Sequence, residues 1–376
     1  IFINMKNKIL IPFSKPFQLD YAVVGKKLVK VLKSSKWSKG KYVEEFERSF
    51  AKYLGVRYAI AVSSCTSGLT LILASLDKAG EVIVPGFAFP AVANAVIWSG
   101  LKPVFVDVDP IYGNIDPLQV ERAVSKKTVA ILPVCNYGFP ADFDKLEKIS
   151  KKYHIPLIVD SAQSFGTLYK GKKCGGFGNA EVFSLSPSKI ITSAEGGVVT
   201  TNNKKIAEFI RKGRNYGKAD NELFQYAGLS CRLSEFHSIV GLETLKKIRQ
   251  ILKSRTEIAR KYYDDLKGCS GITLPVLADN MKPSFNFFVV YLCSGRSVSR
   301  RDRVLKDLDA NGIEARNLFY PPVYKHPAFK QYTSLGFQLK VCEKLASQCI
   351  TLPLYPGMSG KNVRKISNII KKNCNH

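Results

Sequence analysis

From about residue 57 the chain alternates short, nearly unbroken apolar runs with longer stretches whose apolar positions recur every three or four residues. The runs are YAIAV (58–62), EVIV (81–84), PVFVDV (103–108), VAILPV (129–134) and PLIVD (156–160). A strand that is apolar at nearly every position has both faces buried, as in parallel sheets covered on two sides. Between the runs lie Thr66–Ser75, Pro90–Ser99, Pro117–Ser125 and Asp142–Tyr153, each of helix length. The alternation predicts a mainly parallel central sheet with helices on both faces. EVFSL (181–185) and GGVVTT (196–201) are read as two further strands flanking Lys189. From about residue 233 a long helical pattern runs through FHSIVGLETLKKIRQILKSRTEIARKYYDDL. It leads into a smaller unit with a strand at FNFFVVYL (285–292), a helix around Arg301–Asn311 and a last helix at Gly360–Lys372. The predicted organisation is an α/β large domain over residues 1–250 and a smaller C-terminal α+β domain over 251–376.

Composition narrows the field. With 376 residues and 45% hydrophobic content the chain can bury a substantial core. No apolar run approaches the roughly 18–20 residues that span a bilayer, and the longest, Phe87–Trp98, is interrupted by Pro90 and Asn94. The N-terminal IFINMKNKILIPFSKPF lacks a signal-peptide layout. Nine cysteines are scattered without a C-x-x-C pair, which reads as free thiols in a reducing cytoplasm. Four separated histidines with no H-E-x-x-H spacing give no expectation of a metal site.

The net charge of +27 comes from 57 Lys and Arg against 30 Asp and Glu. The lysines are spread along polar faces of helical patterns, with no arginine stripe interleaved with aromatics, helix-turn-helix pattern or zinc finger. Nucleic acid is therefore not the expected partner, whereas a basic surface suits anionic small substrates.

The candidate chemistry centres on Lys189, in FSLSPSKIITSAEGGVVTT, 29 residues after Asp160. Ligands of open parallel sheets sit beyond the carboxyl ends of the strands, and Asp160 ends PLIVD. An aspartate there can take the protonated pyridine nitrogen of pyridoxal 5'-phosphate, or else cap a following helix. Gln163 can reach the phenolic oxygen of that cofactor or complete a capping box. AVSSCTSGLTLIL places a small-residue turn between a strand and a helix, a phosphate-binding layout that would use Cys65 and Thr66, with Ser184 adding a hydroxyl. Phe89, just past a strand, can stack on the pyridine ring or pack in the core. Lys189 would form the Schiff base. There is no G-x-x-x-x-G-K-[ST] and no strand-linked G-x-G-x-x-G, which argues against triphosphate hydrolysis and dinucleotide redox chemistry.

Several segments in order, including WSKGKYVEEFERSFAKYLGVRYAIAVSSCTSGL, EVIVPGFAFPAVANAV, NYGFPADFDKL, IVDSAQSFG, FSLSPSKIITSAEGGVVTTNN, RLSEFHSIVGLETL and LPLYPGM, carry a family resemblance over roughly residues 10–370. The chain resembles the DegT/DnrJ/StrS family of fold type I, pyridoxal-phosphate-dependent sugar aminotransferases. The resemblance implies Lys189 as Schiff-base residue and proton shuttle, Asp160 on the pyridine nitrogen and Gln163 on the phenolic oxygen. It also implies Ser184, Cys65 and Thr66 on the phosphate and Phe89 on the ring. It further implies a homodimer with shared active sites, an amino donor such as glutamate, and a nucleotide-linked keto-deoxyhexose as acceptor.

Three positions depart from the family pattern. Ser230 stands where an Asn commonly reaches the neighbouring subunit's phosphate, Cys65 where Gly or Ala is common, and Cys135 where a polar residue is frequent. A related cofactor-dependent sugar dehydratase is the first alternative, but such relatives carry His at the position of Lys189. A non-catalytic, cofactor-binding regulatory protein is the second. Arg316, Lys325 and His326, within Ala315–Phe329, are candidate substrate contacts or ordinary loop packing.

Overall fold

The computed structural model describes residues 8–219, 222–293, 297–332 and 338–374. The apolar runs form β1 (Tyr58–Val62), β2 (Glu81–Pro85), β3 (Lys102–Val106), β4 (Thr128–Ile131) and β5 (Ile158–Asp160). A short hairpin, β6 (Leu168–Tyr169) and β7 (Lys172–Lys173), precedes β8 (Ala180–Ser184) and β9 (Gly197–Thr201). The strands are ordered β1-β9-β8-β5 and β3-β2-β4, and parallel bridges Ile131↔Leu157 and Val134↔Asp160 join the two into one sheet. Only β9 runs antiparallel to its neighbours, β1 and β8. A parallel return needs a crossover, usually a helix, while the 185–196 link is non-helical and so brings the chain back antiparallel.

Alternate residues of each strand enter different cores, which is why the runs are apolar throughout. Ile60, Val62, Val82, Val84 and Val182 face one apolar cluster. Ala59, Ala61, Ile83, Val104 and Phe183 face the other. The covering helices are α1 (Tyr21–Ser34), α2 (Lys41–Leu54), α3 (Cys65–Ala74), α4 (Ala91–Trp98), α5 (Pro117–Ala123), α6 (Phe143–Tyr153) and α7 (Lys204–Gly213). The start of α2 shows how distant side chains finish these helices. Gly40 at its N-cap offers no side-chain oxygen, and the buried carboxylate of Glu235 accepts from Tyr42 N at 3.1 Å and Val43 N at 2.8 Å instead.

The long helical pattern is not one helix. It divides into α8 (Glu235–Lys246) and α9 (Ile248–Leu266), with Lys247 at φ −96° and ψ 3° between them. The two halves serve different neighbours: α8 packs on α1 and α2, and α9 packs on the last helix of the chain.

The C-terminal unit holds β10 (Ile272–Thr273), β11 (Met281–Lys282), β12 (Phe288–Leu292) and β13 (Cys349–Leu352) with α10 (Ser297–Ala310), α11 (Lys340–Gln348) and α12 (Gly360–Cys374). Its sheet is antiparallel, β10-β12-β13, while β11 pairs with β6 of the large sheet region. The segment after residue 8 belongs spatially to this unit, because Leu10 and Ile11 donate to Gly312 O and Ile11 pairs with Ile313. Among the described residues no helix is long and apolar enough to cross a membrane.

Candidate active site

Cys65, Asp160, Ser184 and Lys189 come together beyond the carboxyl ends of β1, β5 and β8. Ser64 caps α3 through a reciprocal box: its hydroxyl accepts from Ser67 N at 3.0 Å, and Ser67 Oγ accepts from Ser64 N at 3.1 Å. The cap leaves the Cys65 and Thr66 amides at the helix start without intrahelical partners, an arrangement suited to an anion. Gly197 lets β9 lie directly against this turn, since a Cβ there would sit 2.6 Å from Ser64 C and 2.7 Å from Cys65 N. Ser184 pairs across the β8–β9 ladder with Gly197, the residue that lies against this turn.

Asp160 lies beside this turn and is 5% exposed. Its Oδ1 accepts from Ala162 N at 2.9 Å and lies 3.9 Å from Cys65 Sγ. Turns, not a helix, follow it, so the helix-cap alternative does not hold. Burial pushes the Asp160 carboxyl up, while the Ala162 amide, the Lys189 charge and the Cys65 thiol pull it back. Lys189 shows the converse: burial holds its ammonium below the usual lysine value, opposed by Asp160 and Cys65. Its Nζ lies 5.8 Å over the Phe287 ring. The Cys65 thiol is pushed well up by burial and by Asp160, so it stays protonated.

Gln163 is buried, and its Oε1 accepts from Tyr137 N at 2.9 Å. With its acceptor engaged there, the amide has N–H groups to offer an oxygen on a ligand, and it completes no capping box. Phe89 is 58% exposed, which removes the core-packing alternative. Its ring lies 6.3 Å from that of Phe319, and both line a cavity of about 510 Å³ together with Arg316 and His326. Lys325 instead pairs with Glu343 at 2.7 Å and is not among the lining residues. Cys135 is fully buried in the core and also lines no part of that cavity.

Ser230 is not gathered in. It is exposed, and its hydroxyl accepts from Arg232, whose guanidinium also reaches Asn215 Oδ1 at 2.7 Å. Two positioning residues escaped the sequence reading. Tyr137 holds Gln163 through its amide, and Glu181 holds Ser161, next to Asp160, through a hydroxyl bond of 2.5 Å. The N-Y-G turn was visible in the sequence as a turn; nothing in the strand pattern marked Glu181.

The donor set fits pyridoxal phosphate. Helix-start amides and hydroxyls suit its phosphate, the buried Asp160 its ring nitrogen, the Gln163 amide its phenolic oxygen and Lys189 its aldehyde carbon. Among the described residues no cluster of His, Cys, Asp and Glu could hold a metal ion.

Comparison with known proteins points to one family. The model of the DegT/DnrJ/EryC1/StrS aminotransferase family matches residues 23–371. GDP-perosamine synthase of Caulobacter vibrioides is 33% identical, over 88% of this chain and 89% of its own. The dTDP-4-amino-4,6-dideoxy-D-glucose transaminase of Escherichia coli is 30% identical, over 96% and 98%. Among solved structures, S. venezuelae DesV in complex with a ketimine intermediate superposes with a TM-score of 0.90 at 30% identity, covering 98% of this chain and all of that one. DesI in the presence of its TDP-sugar product gives 0.91 at 28%, covering 98% and 93%.

Proposed function

The chain belongs to the DegT/DnrJ/EryC1/StrS aminotransferase family, as a pyridoxal-phosphate-dependent sugar aminotransferase, and we propose that it moves an amino group from glutamate to a nucleotide-linked keto-deoxyhexose. GDP-perosamine synthase and the Escherichia coli transaminase carry GDP- and dTDP-sugars in their names, and DesI was solved in the presence of its TDP-sugar product, which supports that acceptor class. A protein with 57 Lys and Arg against 30 acidic residues draws such anions in. We assign the work to a homodimer of the cytoplasm in which Ser230 of each subunit reaches toward its partner's phosphate site. The exposure of Ser230 on the surface of its own chain supports that assignment.

When bound, pyridoxal phosphate supplies the electron sink that makes the carbon next to the transferred nitrogen acidic. The chain's own residues do the rest. The Cys65 and Thr66 amides, with Ser184, hold the phosphate. Asp160 keeps the ring nitrogen protonated, and Gln163 donates to the phenolic oxygen. Phe89 covers one face and limits access of water from the cavity side. Lys189 Nζ takes the proton from the donor's α-carbon and releases it again. Burial favours its neutral form, which suits it to act as a base near neutral pH.

The observation that carries the reading is the meeting of Lys189, Asp160 and the α3 turn at one edge of the sheet. A lysine there, where deoxygenating relatives have histidine, favours amination. The purified protein should show the visible absorbance of lysine-bound cofactor and lose it on adding glutamate. Lys189→Ala should lose both the band and all amino transfer, and a variant that still transferred amino groups would overturn the assignment. A panel of nucleotide keto-sugars read by mass spectrometry then identifies the acceptor.

A further inference from the structure

One residue outside the predicted set touches both Gln163 and a wall of the 510 Å³ cavity. Tyr137 sits in a short turn, Asn136–Gly138, in the left-handed region at φ 57° and ψ 3°. That conformation is uncommon for a non-glycine residue and is held here by its surroundings. Asn136 Nδ2 donates to Gly113 O at 2.7 Å and Phe87 O at 3.1 Å. Thr167 Oγ1 donates to Gly138 O at 2.6 Å, and a Cβ on Gly138 would lie 2.8 Å from Phe285 N. So fixed, the backbone of Tyr137 presents its amide to Gln163 Oε1 at 2.9 Å.

The side chain goes the other way. Its ring stacks on Phe319 at 6.1 Å and 18°, and the phenol donates to Leu318 O. Phe319 in turn contacts Phe87 at 5.6 Å and Phe89 at 6.3 Å. Burial keeps the phenol protonated, so it remains a donor across the working pH range. Leu318 and Phe319 lie in the 315–321 turn, which carries Arg316 and one wall of the 510 Å³ cavity.

We propose that Tyr137 is a positioning residue that latches the acceptor-side turn, Leu318–Phe319, to the cofactor-side amide of Gln163. This rests on the proposed amino transfer to a sugar, with the cavity that holds the candidate substrate contacts Arg316 and His326 taken as the acceptor site. Because Gln163 is held by a backbone amide and the turn by a side chain, the two sides are separable by mutation. Tyr137→Phe keeps the amide and the ring but removes the anchor to Leu318.

The expected result is an unchanged lysine-bound cofactor spectrum and a donor half-reaction within about twofold of the parent. KM for the keto-sugar should rise about fivefold, roughly the worth of one lost hydrogen bond, with little change in kcat. Hydrogen exchange of the amides of residues 315–320 should accelerate in the cofactor-free variant. Phe319→Leu approaches the same contact from the turn and should give the same split, so the proposal stays testable if the tyrosine variant folds poorly. Unchanged exchange and KM in both variants would reduce Tyr137 to core filling. A defect confined to the donor step would place its side chain on the Gln163 side. Either overturns the latch. If the parent protein reacts with no donor, the enzymatic reading fails, while the exchange measurement on cofactor-free protein still decides the coupling.

Discussion

Glu181 offers a test of how the cofactor edge of the sheet is held. It is fully buried in β8, and among the described residues no cation pairs with it. Its Oε1 accepts from Gly175 N at 2.6 Å and Phe177 N at 2.7 Å, and its Oε2 from Ser161 Oγ at 2.5 Å. These three bonds favour the charged form, but burial outweighs them and pushes the carboxyl from 4.5 up to about 7. A carboxyl raised in the folded state binds its proton more tightly folded than unfolded. Between its unfolded value and about 7 the native state therefore carries more protons, and stability falls as pH rises. At 1.36 kcal/mol per pH unit the loss amounts to about 3 kcal/mol, complete above about pH 7. Glu181→Gln is neutral throughout, keeps an oxygen for the two amides and presents N–H to a hydroxyl that can turn and accept. Urea denaturation of both proteins from about pH 5 to about pH 8 should show the variant gaining on the parent by about 2.5 kcal/mol, most of it between pH 5 and 7. Stability curves that stay parallel across that range would refute burial as the dominant influence on Glu181.

Two further predictions probe the cofactor's phosphate site. Gly197→Ala places a methyl within van der Waals overlap of Ser64 and Cys65, so the start of α3 must shift. Cofactor affinity, measured by fluorescence titration, should fall about tenfold or more while circular dichroism stays unchanged, and an unaltered affinity would remove this turn from the phosphate site. Ser230→Asn lengthens the side chain proposed to reach the partner's phosphate. It should tighten cofactor binding about threefold, the worth of one modest hydrogen bond, and leave the monomer–dimer balance unchanged in sedimentation; weaker binding would count against a cross-subunit contact.

Much of the fold could be read from the chain because burial writes itself into composition. A strand covered on both sides cannot hide its pattern: every position of YAIAV, and every position of EVIV after Glu81, is apolar or aromatic, and the strands lie within a residue or two of those runs. The α8–α9 break was not legible, because Lys247 interrupts no apolar period and the turn follows from which neighbours each half meets. Asp160 and Lys189 were legible for a different reason. A strand end, a glycine pair and a serine-rich turn are local features, and the topology of a parallel sheet brings such ends together. Phe89 was ambiguous only because spacing cannot distinguish an aromatic facing the core from one facing a cleft.

Charge count gave the weakest guide to the lysine proposed as catalytic, and its surroundings explain why. Among the described residues, Lys39 and Lys189 both have ammonium groups held below the ordinary value, in each case chiefly by burial. Their surroundings are opposite. Lys39 stands near Arg232, Lys218 and Arg214, whose charges depress it further, in a polar hollow with the acidic Glu44 and Glu222 on its wall. Lys189 faces the carboxylate of Asp160, which resists the depression and sits where a ring nitrogen would be held. A base for proton transfer must be able to give up its proton and take it back. Burial against a single carboxylate allows both, whereas a lysine among cations is only discouraged from charging. Neither flanking residues nor net charge contains that difference; it arises when β5 and the β8–β9 link deliver their ends to the same edge of the sheet.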